Sequence, residues 1–223
     1  MFQYTWDWGI IWQFRFALFK GILVTLELTI LSLIFGTIIG LILGVLIDKK
    51  IPFISRVLIF ITDIIRSLPL LIFLLLLNYW LPYTIGRIPS FWVAVLALTL
   101  NLSAFISDLI RGAIKGVSKS SKEAGKALGM NQNVLMKKVI LPEAIRDSIP
   151  PISLMYIHIL KISSLASVIT VNELLHVADA ISVFTFRYLE IFTFLAFIYV
   201  IIILPLANFQ RKLEQSKWLV RRS

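Results

Sequence analysis

The sequence predicts an all-α membrane protein of five transmembrane helices, with its N-terminus outside and its C-terminus in the cytoplasm. Three observations predict it: an apolar composition, five apolar stretches of spanning length, and cations gathered on one side. The chain has 223 residues, 59% of them hydrophobic and 15% charged, with a mean hydropathy of +0.91. Soluble domains run about half apolar and about a quarter charged. A water-soluble core of this size has no use for so much apolar surface, so most of it must meet lipid or another membrane helix.

The spans follow in order. The first runs from about Gly21 to Ile47, the second from Val57 to Trp80 and the third from Phe91 to Ile110. The fourth covers about Ile149 to Thr170 and the fifth Tyr188 to Asn208. A hydrocarbon layer of about 30 Å needs about 20 apolar residues per helix, and each stretch meets that length. Lys49, Lys50 and Arg56 follow span one, and eight more cations lie between Arg111 and Arg146. The tail adds Arg211, Lys212, Lys217, Arg221 and Arg222, whereas the opposite side holds Arg15, Lys20, Arg87 and Arg187. The cation-rich side is the cytoplasmic one. The expected organisation is an external N-terminal segment over 1–20, a transmembrane domain over 21–208 with a cytoplasmic loop over 111–149, and a basic tail over 209–223. Trp6, Trp8 and Trp12 suit an interfacial aromatic anchor, and Met1 to Lys20 does not read as a cleaved signal peptide.

Several function classes drop out. With no cysteine, disulfides, zinc clusters and thiol catalysis are excluded. His158 and His176 are too few for a histidine-rich metal site. The net charge of +10 would suggest nucleic acid in a soluble protein, but the hydropathy turns that charge toward membrane topology. No paired acids, His-Glu-x-x-His or Ser/His constellation supports an enzyme. No Gly-rich phosphate loop is present, so this chain cannot itself cradle ATP.

The long cytoplasmic loop should have structure of its own. Ser120 and Glu123 fit a capping box that starts a short helix, and Gly129 permits a left-handed turn after it. Asn131 can cap a second helix through Val134, Leu135, Lys138 and Val139, which Pro142 interrupts. Ala124, Gly125 and Ala127 give the first helix a low-profile surface suited to a groove on a partner; an ordinary solvated loop is the alternative.

The run Glu123-Ala124-Gly125, three residues, Gly129, nine residues, then Val139-Ile140-Leu141-Pro142 resembles the EAA loop of ABC importer permeases. The family pattern has a second Ala at Gly125, where glycine weakens the helix by up to about 1 kcal/mol, and Ile at Val139. Further segments resemble the polar amino acid uptake branch, the histidine/glutamine/arginine permease type. They are Thr25-Leu26-Glu27-Leu28, Arg66-Ser67-Leu68-Pro69-Leu70-Leu71, Asn101-Leu102-Ser103-Ala104-Phe105, Asp108 to Gly112, and Leu160 to Ile169. The resemblance implies the type I ABC importer permease fold in a cell (plasma or inner) membrane. It implies two permease chains, identical or related, around a translocation path, embedded in lipid. Two copies of a cytoplasmic ATP-binding subunit would carry ATP and Mg, with no cofactor on this chain. An extracellular or periplasmic solute-binding protein would deliver the solute. Glu123, Ala124, Gly125, Gly129, Leu141 and Pro142 would couple to the ATPase.

Ionisable groups at membrane depth give the candidate solute residues. Asp108 stands where the family has Glu; it attracts a solute ammonium group, pairs with Arg111 or lies at the cytoplasmic interface. Arg66 either neutralises Asp63, three residues away, or lines a polar bend made by Pro69. Lys161, followed by Ser163 and Ser164, could hold a solute carboxylate, pair with an acid or snorkel. Ile162 replaces an Asp frequent in the family, which counts against a strongly cationic solute. Asn101 lies seven residues before Asp108 and on its face, where it could hydrogen-bond solute or only a neighbouring helix, and Glu27 is expected at the outer interface. A permease for an amino acid derivative, opine or small peptide is the alternative within this reading. Outside it stands a membrane scaffold or receptor subunit that moves no solute.

Overall fold

The computed structural model describes residues 4–49 and 51–215. The expectations for Lys50, Lys217, Arg221 and Arg222 lie outside those residues. Among the described residues ten α-helices follow one another: α1 (Gly9–Gln13), α2 (Arg15–Asp48), α3 (Ile54–Ser67), α4 (Leu70–Ile85), α5 (Ser90–Gly116), α6 (Lys119–Ala127), α7 (Gln132–Leu135), α8 (Leu141–Ile162), α9 (Leu174–Thr185) and α10 (Tyr188–Glu214). A π-helical turn, Met136–Ile140, joins α7 to α8, and a 3₁₀ segment, Ser163–Ile169, extends α8. No strand occurs among the described residues. By length and composition α2, α5, the run Gln132–Ile169 and α10 can each cross a membrane, and the bent pair α3 and α4 makes a fifth if it counts as one broken span.

The second span, expected to bend at Pro69, is broken there into α3 and α4. It breaks at Leu68 (φ −80°, ψ 131°) and Pro69 (φ −56°, ψ 129°), both extended. Pro69 has no N–H to donate, and its ring drives Leu68 out of the helical region, so α3 must end there. Pro142 does the reverse of what was expected. It sits in the first turn of α8 without stopping the chain, because the wider π turn before it, closed by Leu141 N–H onto the Met136 carbonyl, relieves the crowding its ring would cause.

The chain folds as two compact units. The first contains the residues to Leu33, Pro69–Leu98 and Ile157–Ala207. Its core joins Ile10 and Leu18 to Leu174, Ala178 and Ile181 of α9 and to Ile191 and Leu195 of α10. α9 lies against α2 at Gly21, where a Cβ would come within 3.0 Å of the Leu174 Cα. The Thr25 hydroxyl donates to the Gly21 carbonyl and accepts from the Leu174 N–H, each at 3.0 Å, satisfying an orphan donor of α9. At the start of α10, Arg187 donates to the Thr5 carbonyl at 2.6 Å. Buried Glu190 accepts from the Tyr4 hydroxyl and, at 2.9 Å, from the Asp7 N–H, which fastens the N-terminal segment down. Trp6 and Trp8 stack with centroids 5.3 Å apart and stay half exposed.

The second unit contains Ile34–Leu68, Thr99–Tyr156 and the residues from Asn208. Its central contact is the glycine stripe Gly36, Gly40 and Gly44 of α2 against Leu102, Ile106 and Ile110 of α5, all three fully or almost fully buried. A Cβ on Gly40 would stand 2.7 Å from the Ile106 Cβ and 2.9 Å from the Ser103 carbonyl oxygen, so only hydrogen fits. Thr37 and Tyr156 share a hydroxyl hydrogen bond of 2.7 Å between α2 and α8.

Candidate functional site

In the second unit four charged side chains converge. Asp63 and Arg66 share the C-terminal half of α3, and Asp108 and Arg111 share α5, each pair three residues apart and so on one helix face. Arg66 Nη2 donates to Asp63 Oδ1 at 3.1 Å, and Arg66 Nη1 lies 2.5 Å from Asp108 Oδ2. Arg111 Nη1 approaches Asp108 Oδ1 at 3.6 Å. The result is an alternating chain, Asp63–Arg66–Asp108–Arg111, with no net formal charge. Arg66 and Asp108, each singled out as a candidate for solute, are thus brought together, and both neutralising alternatives hold as well. The Asp108 side chain is 52% exposed on this chain by itself. Asn101, two turns earlier on α5, is buried at 5% exposure.

Lys161, Ser163 and Ser164 belong to the first unit, where α8 tightens into the 3₁₀ segment. The Lys161 side chain is exposed, and no carboxylate among the described residues lies within ion-pair distance of it. Ser163 is buried and donates to the Leu160 carbonyl at 2.8 Å; Ser164 is half buried and donates to the Lys161 carbonyl at 2.9 Å. Each hydroxyl proton is used within its own turn, and because Ser163 is fully buried only the Ser164 oxygen keeps an accessible acceptor position. Glu27, expected at the interface, is exposed on α2.

Glu173 is a residue that sequence reasoning passed over. It is fully buried and caps α9, accepting from the Leu175 N–H at 2.9 Å and the His176 N–H at 2.7 Å. Burial pushes its carboxyl up to about 7, against the opposing pull of those two backbone donors. The available signal was a carboxylate just ahead of an apolar helical run, which fits an N-cap.

The cytoplasmic loop, placed in the second unit, is built differently from expectation in two respects. The cap of α6 is Ser118, whose Oγ accepts from the Ser121 N–H at 3.0 Å, and not Ser120. Glu123 is correspondingly exposed and pairs at 3.7 Å with Lys119 one turn back. Gly125 faces inward rather than toward a partner. A Cβ there would meet Leu135 Cδ1 at 2.3 Å, so α6 rests on α7 through the missing side chain. Ala124, Ala127 and Leu128 are left on the exposed side, Leu128 at 77%. Gly129 has φ +75°, the left-handed turn its residue type permits, and Asn131 Oδ1 caps α7 by accepting from the Val134 N–H at 2.9 Å. Leu141 is half buried and Pro142 exposed at the start of α8.

Residues 36–218 match the family described as the binding-protein-dependent transport system inner membrane component. The L-cystine transport system permease protein TcyB of Bacillus subtilis is 38% identical over 210 residues, covering 93% of this chain and 90% of that protein. The glutamine transport system permease protein GlnP of Escherichia coli is 34% identical over 211 residues, covering 94% and 96%. The arginine transport system permease protein ArtQ of Bacillus subtilis is 33% identical over 199 residues, covering 88% and 90%. Among solved structures, an amino acid ABC transporter with histidines superposes with a TM-score of 0.89 at 32% identity, covering 95% of this chain and 99% of that one. The methionine ABC transporter MetNI in an inward-facing form gives 0.73 at 22% identity, a likeness of fold.

Proposed function

Because this chain belongs to the family of binding-protein-dependent transport system inner membrane components, we propose that it forms the translocation path for a polar amino acid in an ATP-driven importer. The observation that carries this reading is the extent of the likeness. It runs through 88–94% of this chain to permeases named for arginine, glutamine and cystine, so spans and loop are similar together.

In this reading the chain is a transporter subunit, and ATP with Mg is hydrolysed on a separate cytoplasmic subunit present in two copies. A second permease chain completes the path, and a solute-binding protein outside the membrane delivers the amino acid. The exposed Ala124–Leu128 edge of α6, set by the Gly129 turn, meets the ATP-binding subunit. α6 and α7 are locked by the Gly125–Leu135 contact, so a push on α6 passes into α8 through the π turn as a rigid-body displacement. Alternating access follows if that displacement biases one of two states of the spans. Lys161 supplies a cation for the solute carboxylate, and Ser163, Ser164, Arg66, Asn101 and Asp108 are the further candidate polar groups.

The test is purification of the tagged chain from its native membrane in mild detergent, with mass-spectrometric identification of what accompanies it. Recovery of an ATP-binding subunit is expected, and a second permease sequence would distinguish a heterodimer from a homodimer. A well-folded chain that brings no ATPase, and that gives no crosslink from Glu123 to one, would favour a scaffold or receptor subunit.

A further inference from the structure

In the second unit α2 and α8 leave an open groove between them, apolar along its length and cationic at one end. We propose that it binds an anionic phospholipid of the cytoplasmic leaflet, with one acyl chain lying between the helices and the headgroup phosphate held by Lys49, Lys137 and Lys138.

The groove has a volume of about 300 Å³ and is walled by Leu41, Ile42, Val45 and Leu46 of α2 and by Leu141 and Ile145 of α8. Its walls offer no polar group, so neither water nor a polar solute finds a partner there. The two helices run antiparallel along it. Thr37 meets Tyr156 beyond its deep end, and nearer the cytoplasm the later residues of α2 face the earlier residues of α8. The cations that follow α2 and those that precede α8 therefore stand at the same end. Lys49 keeps the helical spacing, its N–H donating to the Val45 carbonyl at 3.2 Å. It lies three residues beyond Leu46 and seven beyond Ile42, in the middle of the lining face and about 12 Å along the axis from Leu41. Lys137 and Lys138 lie in the π turn, four and three residues before Leu141. All three lysines are exposed, and none has a carboxylate within ion-pair distance among the described residues. Of the acids nearby in sequence, Asp48 is a quarter turn off the lining face of α2, and Glu143 and Asp147 are on the far side of α8.

The sidedness of the chain by itself sets lysines at headgroup level. The groove adds an apolar slot that opens onto them, so a chain and a phosphate can be held together. A basic pocket between spanning helices on the cytoplasmic side suits an anionic headgroup, whereas the ammonium of a zwitterionic headgroup would meet three like charges.

The experiment puts a bimane fluorophore on Ile38→Cys, a 52% exposed position one turn deeper than Ile42 on α2, in a chain with no native cysteine. The labelled chain, purified with the subunits that accompany it, is reconstituted in mixed bilayers of phosphatidylglycerol and phosphatidylcholine. Brominated acyl chains, which quench the fluorophore, are carried first by one lipid and then by the other. Phosphatidylglycerol should be preferred at this position by about fivefold or more, the scale of one lysine beside an anionic headgroup. Lys137→Gln/Lys138→Gln should bring the two lipids level, and Lys49→Gln by itself should lower the preference in part. Arg211→Gln/Lys212→Gln removes the same charge from α10, which does not line the groove, and should leave the preference intact. Equal quenching by both lipids in wild type overturns the proposal. A preference that falls as far with the α10 variant overturns it too, since that effect belongs to the general surface field. Quenching by neither lipid also overturns it, and marks the groove as covered by protein, whether a second permease chain or an ATP-binding subunit.

Discussion

Glu173 shows what a single buried carboxylate does in this chain. Its oxygens close the N-terminus of α9, while the Thr25 hydroxyl satisfies the next free N–H. Burial holds its carboxyl near 7, above the usual carboxylate range of about 4.3. The folded state therefore binds a proton that the unfolded chain has released across that window. Stability is highest below about pH 4.3 as far as this group is concerned, and declines as pH rises toward 7. Glu173→Gln should flatten that slope. The check is the thermal midpoint of the detergent-purified protein from about pH 4.3 to about pH 8, which spans that window; equal slopes in wild type and variant would refute it.

Among the elements, α2 and α5 are joined by close approach rather than by side-chain bulk. Gly36, Gly40 and Gly44 recur every fourth residue, so they line one face, and the side chains of α5 fill the groove they leave. Gly40→Val would drive a branched side chain into Ile106 and the Ser103 carbonyl, neither of which is a free-swinging end. The expected cost is about 1–3 kcal/mol, read as a lower yield of monodisperse protein and a lower thermal midpoint. Gly112→Ala on α5, where a Cβ meets nothing within 4 Å, is the matched control and should be tolerated. The helix α6 uses the same device once more, with Leu135 occupying the space above Gly125.

For the whole molecule, the cation distribution makes a claim about sidedness that is open to direct measurement. With no native cysteine, single cysteines give clean labelling. Tyr83, 90% exposed at the end of α4, and Leu128, 77% exposed after α6, are suitable sites. In intact cells a membrane-impermeant maleimide should label Tyr83→Cys, and it should label Leu128→Cys only after permeabilisation. The opposite pattern would invert the proposed topology and place the α6 edge where no ATP-binding subunit could reach it.

The helical class and the spanning lengths were legible in the sequence because they depend on composition and on runs of some 20 apolar residues, which are local properties. The left-handed turn at Gly129 and the cap at Asn131 were legible for the same reason: one residue type satisfies one local conformation. A bend at Pro69 was legible from its residue type, but its extent, a full break with Leu68 and Pro69 both extended, was not. Tertiary structure alone decided the rest. Asp63–Arg66 and Asp108–Arg111 are visible as pairs three residues apart, yet only the packing of α3 beside α5 turns two local pairs into one four-membered chain. Gly125 reads as a smooth outer surface until Leu135 is folded onto it. Glu173 reads as an ordinary polar residue until α9 is packed and water excluded. In each case the deciding quantity is which distant side chain arrives at a given point, and no spacing along one helix contains it.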